Sequence, residues 1–332
     1  MNLEKYTNAT VTAIYDHYVA SRRQGHRAHL GGSQIGEECS RALWYSFRWA
    51  GGETFDGRML RLFETGDREE QRLIANLRAI GITVWDRNPD DGEQWRFEAC
   101  GGHFGIGLDG VGEGFVESKV PHVLEFKTMN DRNFVLMQSK GLQNAKPTYW
   151  AQVQVGMHMA ELDRAYFFAT NKNDDQIYAE RVHLDRSLAL KLLAKANSII
   201  FSAIPPIRIS DDPSFWKCKF CAFHSTCHVE QLPDVSCRTC AHVTPEPDGT
   251  WSCAKHKKTL IEAEQRAGCP QHLFIPQAMP QGWELVDASD AYVEYNTEQG
   301  PIINRENSIE LGEWALQCTT PTQFQHERDR TL

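Results

Sequence analysis

The 332-residue chain contains no run of 18 or more apolar residues, so nothing in it is expected to span a membrane. It has no low-complexity tract and no internal repeat. Its hydrophobic share of 41% is enough for a real core, which excludes a disordered or collagen-like chain. The first residues lack a basic start followed by an apolar stretch. They do not read as a secretory signal, and a cytoplasmic protein is expected. No G-x-G-x-x-G stands after a strand and before a helix, so no dinucleotide fingerprint accompanies the chain. Basic surplus is also missing. The net charge is −9, which excludes a uniformly basic nucleic-acid coat. The charge is uneven: residues 281–332 hold 10 acidic and 3 basic side chains, or −7, leaving −2 for the rest. A local basic cleft in the first 280 residues is therefore compatible with the total.

Cysteine is plentiful. Ten occur, and without an export signal they read as metal ligands rather than disulfides. Seven of the ten fall between Cys218 and Cys269. Cys218-x2-Cys221-x5-Cys227 is one thiolate short of the four that zinc or an iron–sulfur cluster prefers. A second group comprises Cys237-x2-Cys240, Cys253-x2-His256 and Cys269. The pair Cys237 and Cys240 with Cys253, and either His256 or Cys269, would complete a zinc ribbon. Such a ribbon could be a DNA-contacting knuckle or a staple for the fold. Cys100 and Cys318 have no partner at ligand spacing and read as ordinary residues.

Hydrophobic periodicity predicts helices over 5–24 (with Tyr6 on its apolar face), 33–49 and 58–80, with Ser33 as the N-cap of the second. Strands are expected at 83–86, 94–99, 103–108 and 123–127, read as one sheet. Helices over 130–142 and 148–162 follow, the second entered through Pro147. Two strands at 164–170 and 177–182 and a helix over 184–202 complete the pattern. From 214 to 270 the chain is rich in Cys, His and Pro and weakly periodic, as expected of a segment that needs metal to fold. The tail from about 275 has little pattern.

The chemistry-bearing signal is Gly107-Leu108-Asp109-Gly110 followed by Leu124-Glu125-Phe126-Lys127. Glu125 and Lys127 are two apart on a predicted strand and share a face. If strands 103–109 and 122–127 are neighbours, Asp109 and Glu125 meet at one sheet edge. Two carboxylates there make an oxygen site for Mg²⁺ or Mn²⁺. A lysine beside them can orient a water or offset charge on a phosphate. Taken alone, Glu-x-Lys on a strand is usually a solvent-facing pair.

With its apolar flanks, the D-(x15)-E-x-K pattern resembles the PD-(D/E)XK nuclease superfamily. The run Phe63-Glu64-Thr65-Gly66-Asp67-Arg68-Glu69-Glu70 resembles the helical motif of the RecB-type branch, which implies Glu70, with Glu69 beside it as the alternative, as a further metal ligand. The run Tyr149-Trp150-Ala151-Gln152-Val153-Gln154 is similar to the Y-x-x-Q-x-Q helix of lambda-type phage exonucleases, which implies an active-site role for Gln152 and a cleft-lining one for Tyr149. The run Cys39-Ser40-Arg41-Ala42-Leu43-Trp44-Tyr45 resembles the N-terminal clamp of iron–sulfur nucleases of the CRISPR-associated and AddB type. That implies a 4Fe–4S cluster on Cys39, Cys218, Cys221 and Cys227, with Zn²⁺ in the same thiolates as the alternative.

The resemblance covers about two thirds of the chain. It implies an α/β (α+β) protein with a restriction-endonuclease-like central mixed sheet flanked by helices, and a Cys-rich, metal-bound C-terminal part. Residues 1–232 would be the nuclease core, 233–274 a zinc-ribbon-like module and 275–332 an acidic extension. The activity implied is a Mg²⁺- or Mn²⁺-dependent DNA exonuclease of phage recombination or repair type, acting in a host cytoplasm. Asp109, Glu125 and Glu70 would hold the ions, with Lys127 and Gln152 completing the site. An arginine-rich N-terminal part (Arg22, Arg23, Arg27, Arg41, Arg48, Arg58, Arg61, Arg68, Arg72 and Arg78) would track DNA, and Arg41 and Arg68 lie inside the matched motifs. A single-strand annealing protein is the implied partner. A non-cleaving DNA-binding scaffold and an iron–sulfur redox protein are the alternatives.

Overall fold

A computed structural model of the chain describes residues 8–21, 25–52, 54–229, 231–289, 291–298 and 300–305, and the backbone of 308–311 and 314–316. Tyr6, Arg22, Arg23 and Cys318 lie outside the described residues, as does the end of the acidic extension. The elements run α1 (Ala9–Ser21), β1 (Leu30–Gly31), α2 (Ser40–Arg48), α3 (Gly57–Ala79), β2 (Thr83–Trp85), β3 (Arg96–Ala99), β4 (Phe104–Gly107), β5 (Gly110–Glu113) and β6 (His122–Met129). Then come α4 (Asp131–Ala145), α5 (Pro147–Met159), β7 (Arg164–Asn171), β8 (Ile177–His183) and α6 (Arg186–Ile200). The Cys-rich part forms α7 (Trp216–Lys219), α8 (His224–His228), β9 (Val243–Pro245), β10 (Trp251–Cys253), β11 (Lys258–Thr259) and α9 (Glu262–Ala267).

The protein is a mixed α+β fold. Its central sheet has the order β2-β5-β6-β7-β8 and is antiparallel except between β6 and β7. That one parallel pair exists because α4 and α5 form the crossover between its strands. The helices start where the sequence offers side-chain caps. The Asp56 carboxylate accepts from Met59 N–H at 2.7 Å, the Asn130 side chain from Asn133 N–H at 3.0 Å, and the Asp185 carboxylate from Leu188 N–H at 3.0 Å. α5 starts with Pro147, whose fixed φ suits a first helical position.

α3 covers one sheet face, burying Leu73, Ile74 and Leu77 against Leu124, Phe126 and Phe168. α4 and α5 cover the other, with Phe134, Met137, Val153 and Met157 against Val123, Phe167 and Ala169. Each strand therefore alternates which core its side chains enter.

Three expectations are corrected. The strands before Asp109 do not all join one sheet: β3 and β4 pair as a hairpin and, with β1 parallel to β4, form a separate three-stranded sheet. β4 buries Phe104 and Ile106 in a different core, built on Leu43, Trp44 and Phe47 of α2 and Ile199 and Ile200 of α6. Periodicity reports that a strand has a buried face, not which core receives it. Ser33 lies in a short 3₁₀ turn and does not cap α2, whose N-cap position is Cys39. The tail is not unpatterned: β12 (Glu284–Ala288), β13 (Tyr292–Thr297), β14 (Gly300–Arg305), β15 (Ser308–Leu311) and β16 (Trp314–Leu316) form an antiparallel meander in sequence order. β12 buries none of its residues and β13 only Val293 and Tyr295, too few for alternation to stand out.

The Cys-rich segment is not set apart from the rest. Cys237, Cys240, Val243, Trp251 and Cys253 share one core with Phe47 and Trp44. Among the described residues no helix is long and apolar enough to cross a membrane.

Candidate active site

β5 and β6 pair antiparallel with Gly110 opposite Leu124 and Val111 opposite Val123. Continuing that register by one residue puts Asp109 opposite Glu125, with their side chains on the same face. The ladder closes through a side chain at this point: Phe126 N–H donates to Asp109 Oδ2 at 2.7 Å. On the other side of β5, Gly110 lets β2 come close, because a Cβ there would meet the Trp85 carbonyl oxygen at 3.0 Å. Asp109 and Glu125 thus meet through β5, which the sequence had not disclosed, and not through a pairing of 103–109 with 122–127.

Lys127 lies two residues along the same face, and its ammonium donates to Glu125 Oε1. The ammonium also sits 5.5 Å from the centroid of the Tyr149 ring, which stacks on Phe167 of β7 at 6.3 Å. α5 therefore brings Tyr149 over the lysine. One turn further along α5, Gln152 is 8% exposed, and its Oε1 has no hydrogen-bond partner among the described residues. Gln154 is different. Its Oε1 accepts from Asp185 N–H at 2.6 Å and its amide donates to the His183 carbonyl at 3.0 Å, so it fastens α5 to the start of α6. Of the two glutamines, only Gln152 has a polar atom left for something else.

α3 supplies adjacent glutamates with different surroundings. Glu69 accepts from Thr170 Oγ1 at 3.0 Å and from Arg72 at 3.2 Å, and Arg72 also grips Asp175 at 2.8 and 3.0 Å. This network ties the helix to the end of β7; long-range polar pairing of this kind leaves no local sequence signal. Glu70 stands one turn before Leu73 and Ile74 on the sheet-facing stripe, and it interacts electrostatically with Asp109 and Lys127.

The four ionisable groups perturb one another. Burial pushes Glu125 up to about 7 against the pull of Lys127, with the Asp109 and Glu70 charges adding to the rise. Burial, then repulsion from Asp109, pushes Glu70 up to about 7 as well. Asp109 is raised by burial, opposed by Lys127 and the Phe126 N–H. Burial alone would lower Lys127, but the charges of Glu125 and Asp109 outweigh it and hold it above its ordinary value. A part-buried cluster that favours holding protons is a cluster short of positive charge.

Arg41 requires a correction. It is 5% exposed, and its guanidinium donates to Tyr45 Oη, the Pro206 carbonyl and the Gln277 carbonyl at 2.9–3.1 Å. It joins α2 to the C-terminal part and is closed to a DNA phosphate. Arg68 is exposed and paired with Glu64 at 2.6 Å.

The cysteines gather at two places. Cys39, Cys218, Cys221 and Cys227 line one cavity of about 650 Å³. Burial, less the Phe223 N–H and plus the neighbouring thiols Cys39 and Cys227, pushes the Cys221 thiol up to about 11. Cys237, Cys240, Cys253, His256 and Cys269 line a second cavity of about 270 Å³. Burial and then Cys269, Cys240 and Cys253 push Cys237 up to about 12; His256 is not among its main perturbers. Among the described residues, no three His, Cys, Asp or Glu side chains stand ready to hold a metal ion. At the carboxylates the reason is visible. Glu125 is turned to Lys127 and Asp109 to a backbone N–H.

No family model matches the chain, and no curated protein matches it. Among solved structures, the chain is similar to LHK-Exo in complex with dAMP, at 13% identity over 56% of this chain and 89% of that one, with a TM-score of 0.37. It is similar to the structure described as an alkaline exonuclease (LHK-Exo) from Laribacter hongkongensis, at 16% identity over 55% and 90%, with a TM-score of 0.36. A third similar structure is SSO0001, at 12% identity over 67% and 98%, with a TM-score of 0.39.

Proposed function

We propose that the protein is a metal-dependent DNA exonuclease acting at Asp109, Glu125 and Lys127. The observation that carries this reading is the meeting of the buried Glu125, the part-buried Asp109 and an ammonium where β5 begins beside β6, in a cluster that favours extra positive charge. Asp109 and Glu125, with Glu70, are the residues that would hold Mg²⁺ or Mn²⁺; oxygen-only donors suit hard cations. Such an ion would supply Lewis-acid stabilisation of charge on the phosphoryl oxygens. Lys127 would deliver a positive charge to the phosphate or its attacking water, and its bond to Glu125 holds it there. Gln152 Oε1, an acceptor with no partner among the described residues, would orient that water or the lysine. The Tyr149 ring, 5.5 Å from the ammonium, lines one side of it. End-labelled linear duplex is expected to shorten with Mg²⁺ and stay intact with EDTA; an intact duplex in both overturns the reading.

A pH dependence follows. Glu125 and Glu70 both titrate at about 7 in the folded protein, against an ordinary value of 4.5. The folded state therefore binds these protons more tightly than the unfolded chain. Their contribution to stability is present below about pH 4.5 and lost as the pH rises through about 7. A divalent cation competes with those protons. Mg²⁺ is expected to raise the melting temperature more at about pH 8 than at about pH 5.5. Thermal melts at both values check this, and an equal shift would separate the ion from these carboxylates.

We further propose the division into a 1–232 core, a 233–274 module and a 275–332 extension. A 4Fe–4S cluster is assigned to Cys39, Cys218, Cys221 and Cys227, and Zn²⁺ to the second group, with Cys269 preferred over His256 as the fourth donor. The soft sulfur donors suit both assignments, and four thiols bordering one cavity support the first. Each group would act as a staple. Protein purified anaerobically is expected to be brown, with broad visible absorption; colourless protein containing only zinc overturns the cluster assignment.

A further inference from the structure

α7 is a single turn with its small residue inside and its aromatic rings outside. Its cysteine, Cys218, points inward and is 5% exposed, while Trp216 and Phe220 stand outside at 62% and 78% exposed. Phe220 N–H bonds back to the Trp216 carbonyl at 3.3 Å, so the two rings rise on one side of the chain, a turn apart. Lys217 and Lys219 lie between them. The Lys217 ammonium is 5.1 Å from the Trp216 ring centroid and pairs with Glu38, and Lys219 is exposed. Two large rings left in water next to lysines are a surface in want of a ligand with flat faces and negative charge.

The location adds to this. Trp216 and Phe220 border the same cavity as Pro147 and Thr148, the first two residues of α5, and the next residue, Tyr149, lies over Lys127. Gly36 lets the α5 turn approach this closely, since a Cβ there would come within 2.6 Å of Thr148 Cα. The exposed rings and the candidate active site thus flank the same end of one helix.

We propose that Trp216 and Phe220, with Lys217 and Lys219, form a binding platform for single-stranded DNA, the bases stacking on the rings and the phosphates drawn by the lysines. Every base offers a π-face, so binding is insensitive to sequence. The nuclease reading supplies the identity of the strand, which would be the one leaving or entering the site past Tyr149.

The test is fluorescence anisotropy of a short labelled oligo(dT) on the full chain without added divalent ion. Trp216→Ala and Phe220→Ala are each expected to weaken binding about tenfold, and the double variant on the order of a hundredfold. Trp216→Phe is expected to keep most of the affinity, which separates a lost ring from a lost fold. Lys219→Ala should flatten the salt dependence by about one phosphate contact. Wild-type affinity in the double variant overturns the proposal. So does a double variant that binds DNA normally but loses self-association on size-exclusion chromatography, which would make the patch a contact between copies. The two readings fail separately. A chain that shortens duplex but binds oligo(dT) equally well without its rings loses only the platform. A chain that binds through the rings and cuts nothing loses only the nuclease.

Discussion

Lys127→Ala is expected to slow the shortening of end-labelled duplex by on the order of a thousandfold, with Glu125→Gln falling as far. Both substitutions remove a charge from one bonded pair, so neither can be rescued by the other. The fold should survive each change. Without the ammonium, Glu125 loses the interaction that holds its carboxyl down and rises further above about 7, so it is protonated and neutral at pH 7. A neutral buried carboxyl avoids the cost of an unpaired buried charge. Full activity in either variant, measured with the fold checked by circular dichroism, would remove these residues from the reaction. Glu69→Gln is the useful contrast: it disturbs the link to Thr170 and Arg72, so it should cost stability more than rate.

The largest effect on stability is expected at Trp251. It is 2% exposed and packs on Phe47 at 5.2 Å and His103 at 5.5 Å. Arg48 lies 5.2 Å and Arg238 4.4 Å from its ring. Arg238 also lies 3.8 Å from the centroid of the Trp49 ring. Burial pushes Arg48 down to about 10 and Arg238 down to about 9, the latter helped by repulsion from Arg266 and Arg48. The aromatic faces offset part of that burden. Trp251→Ala should therefore cost about 3–5 kcal/mol by cavity formation, before any loss at the arginines is counted. Urea denaturation followed by fluorescence and by circular dichroism checks the value. One shared transition at lower urea is expected, because Trp251 and α2 belong to one core. A second transition, with the rest of the protein unmoved, would mean that residues 233–274 fold independently.

How much of this was legible varies with the range of the interaction. Glu125 and Lys127 were readable as a same-face pair because strand geometry acts over two residues. Glu70 was readable as a candidate, but its separation from Glu69 depended on Thr170, a hundred positions away in the chain and adjacent in space. Arg41 looked like a phosphate contact because its motif fitted. Its acceptors are carbonyls of Pro206 and Gln277, and no local rule places those beside α2. Trp216 and Phe220 are not legible as a surface feature, since an aromatic in a sequence says nothing about which side faces water.

From composition and pattern alone came the helices and most of the strands to either side of Asp109, though not β5, together with the thiol groups at ligand spacing and the acidic–acidic–lysine set. All of these depend on periods of two and 3.6 residues or on short spacings, which the chain enforces on itself. The three-dimensional structure decided that β4 leaves the central sheet, that β5 brings Asp109 opposite Glu125, that Gln154 is tied down while Gln152 is not, and that the Cys-rich segment shares its core with α2. Each of these depends on which distant surfaces exclude water from one another, and that is settled only when the whole chain packs.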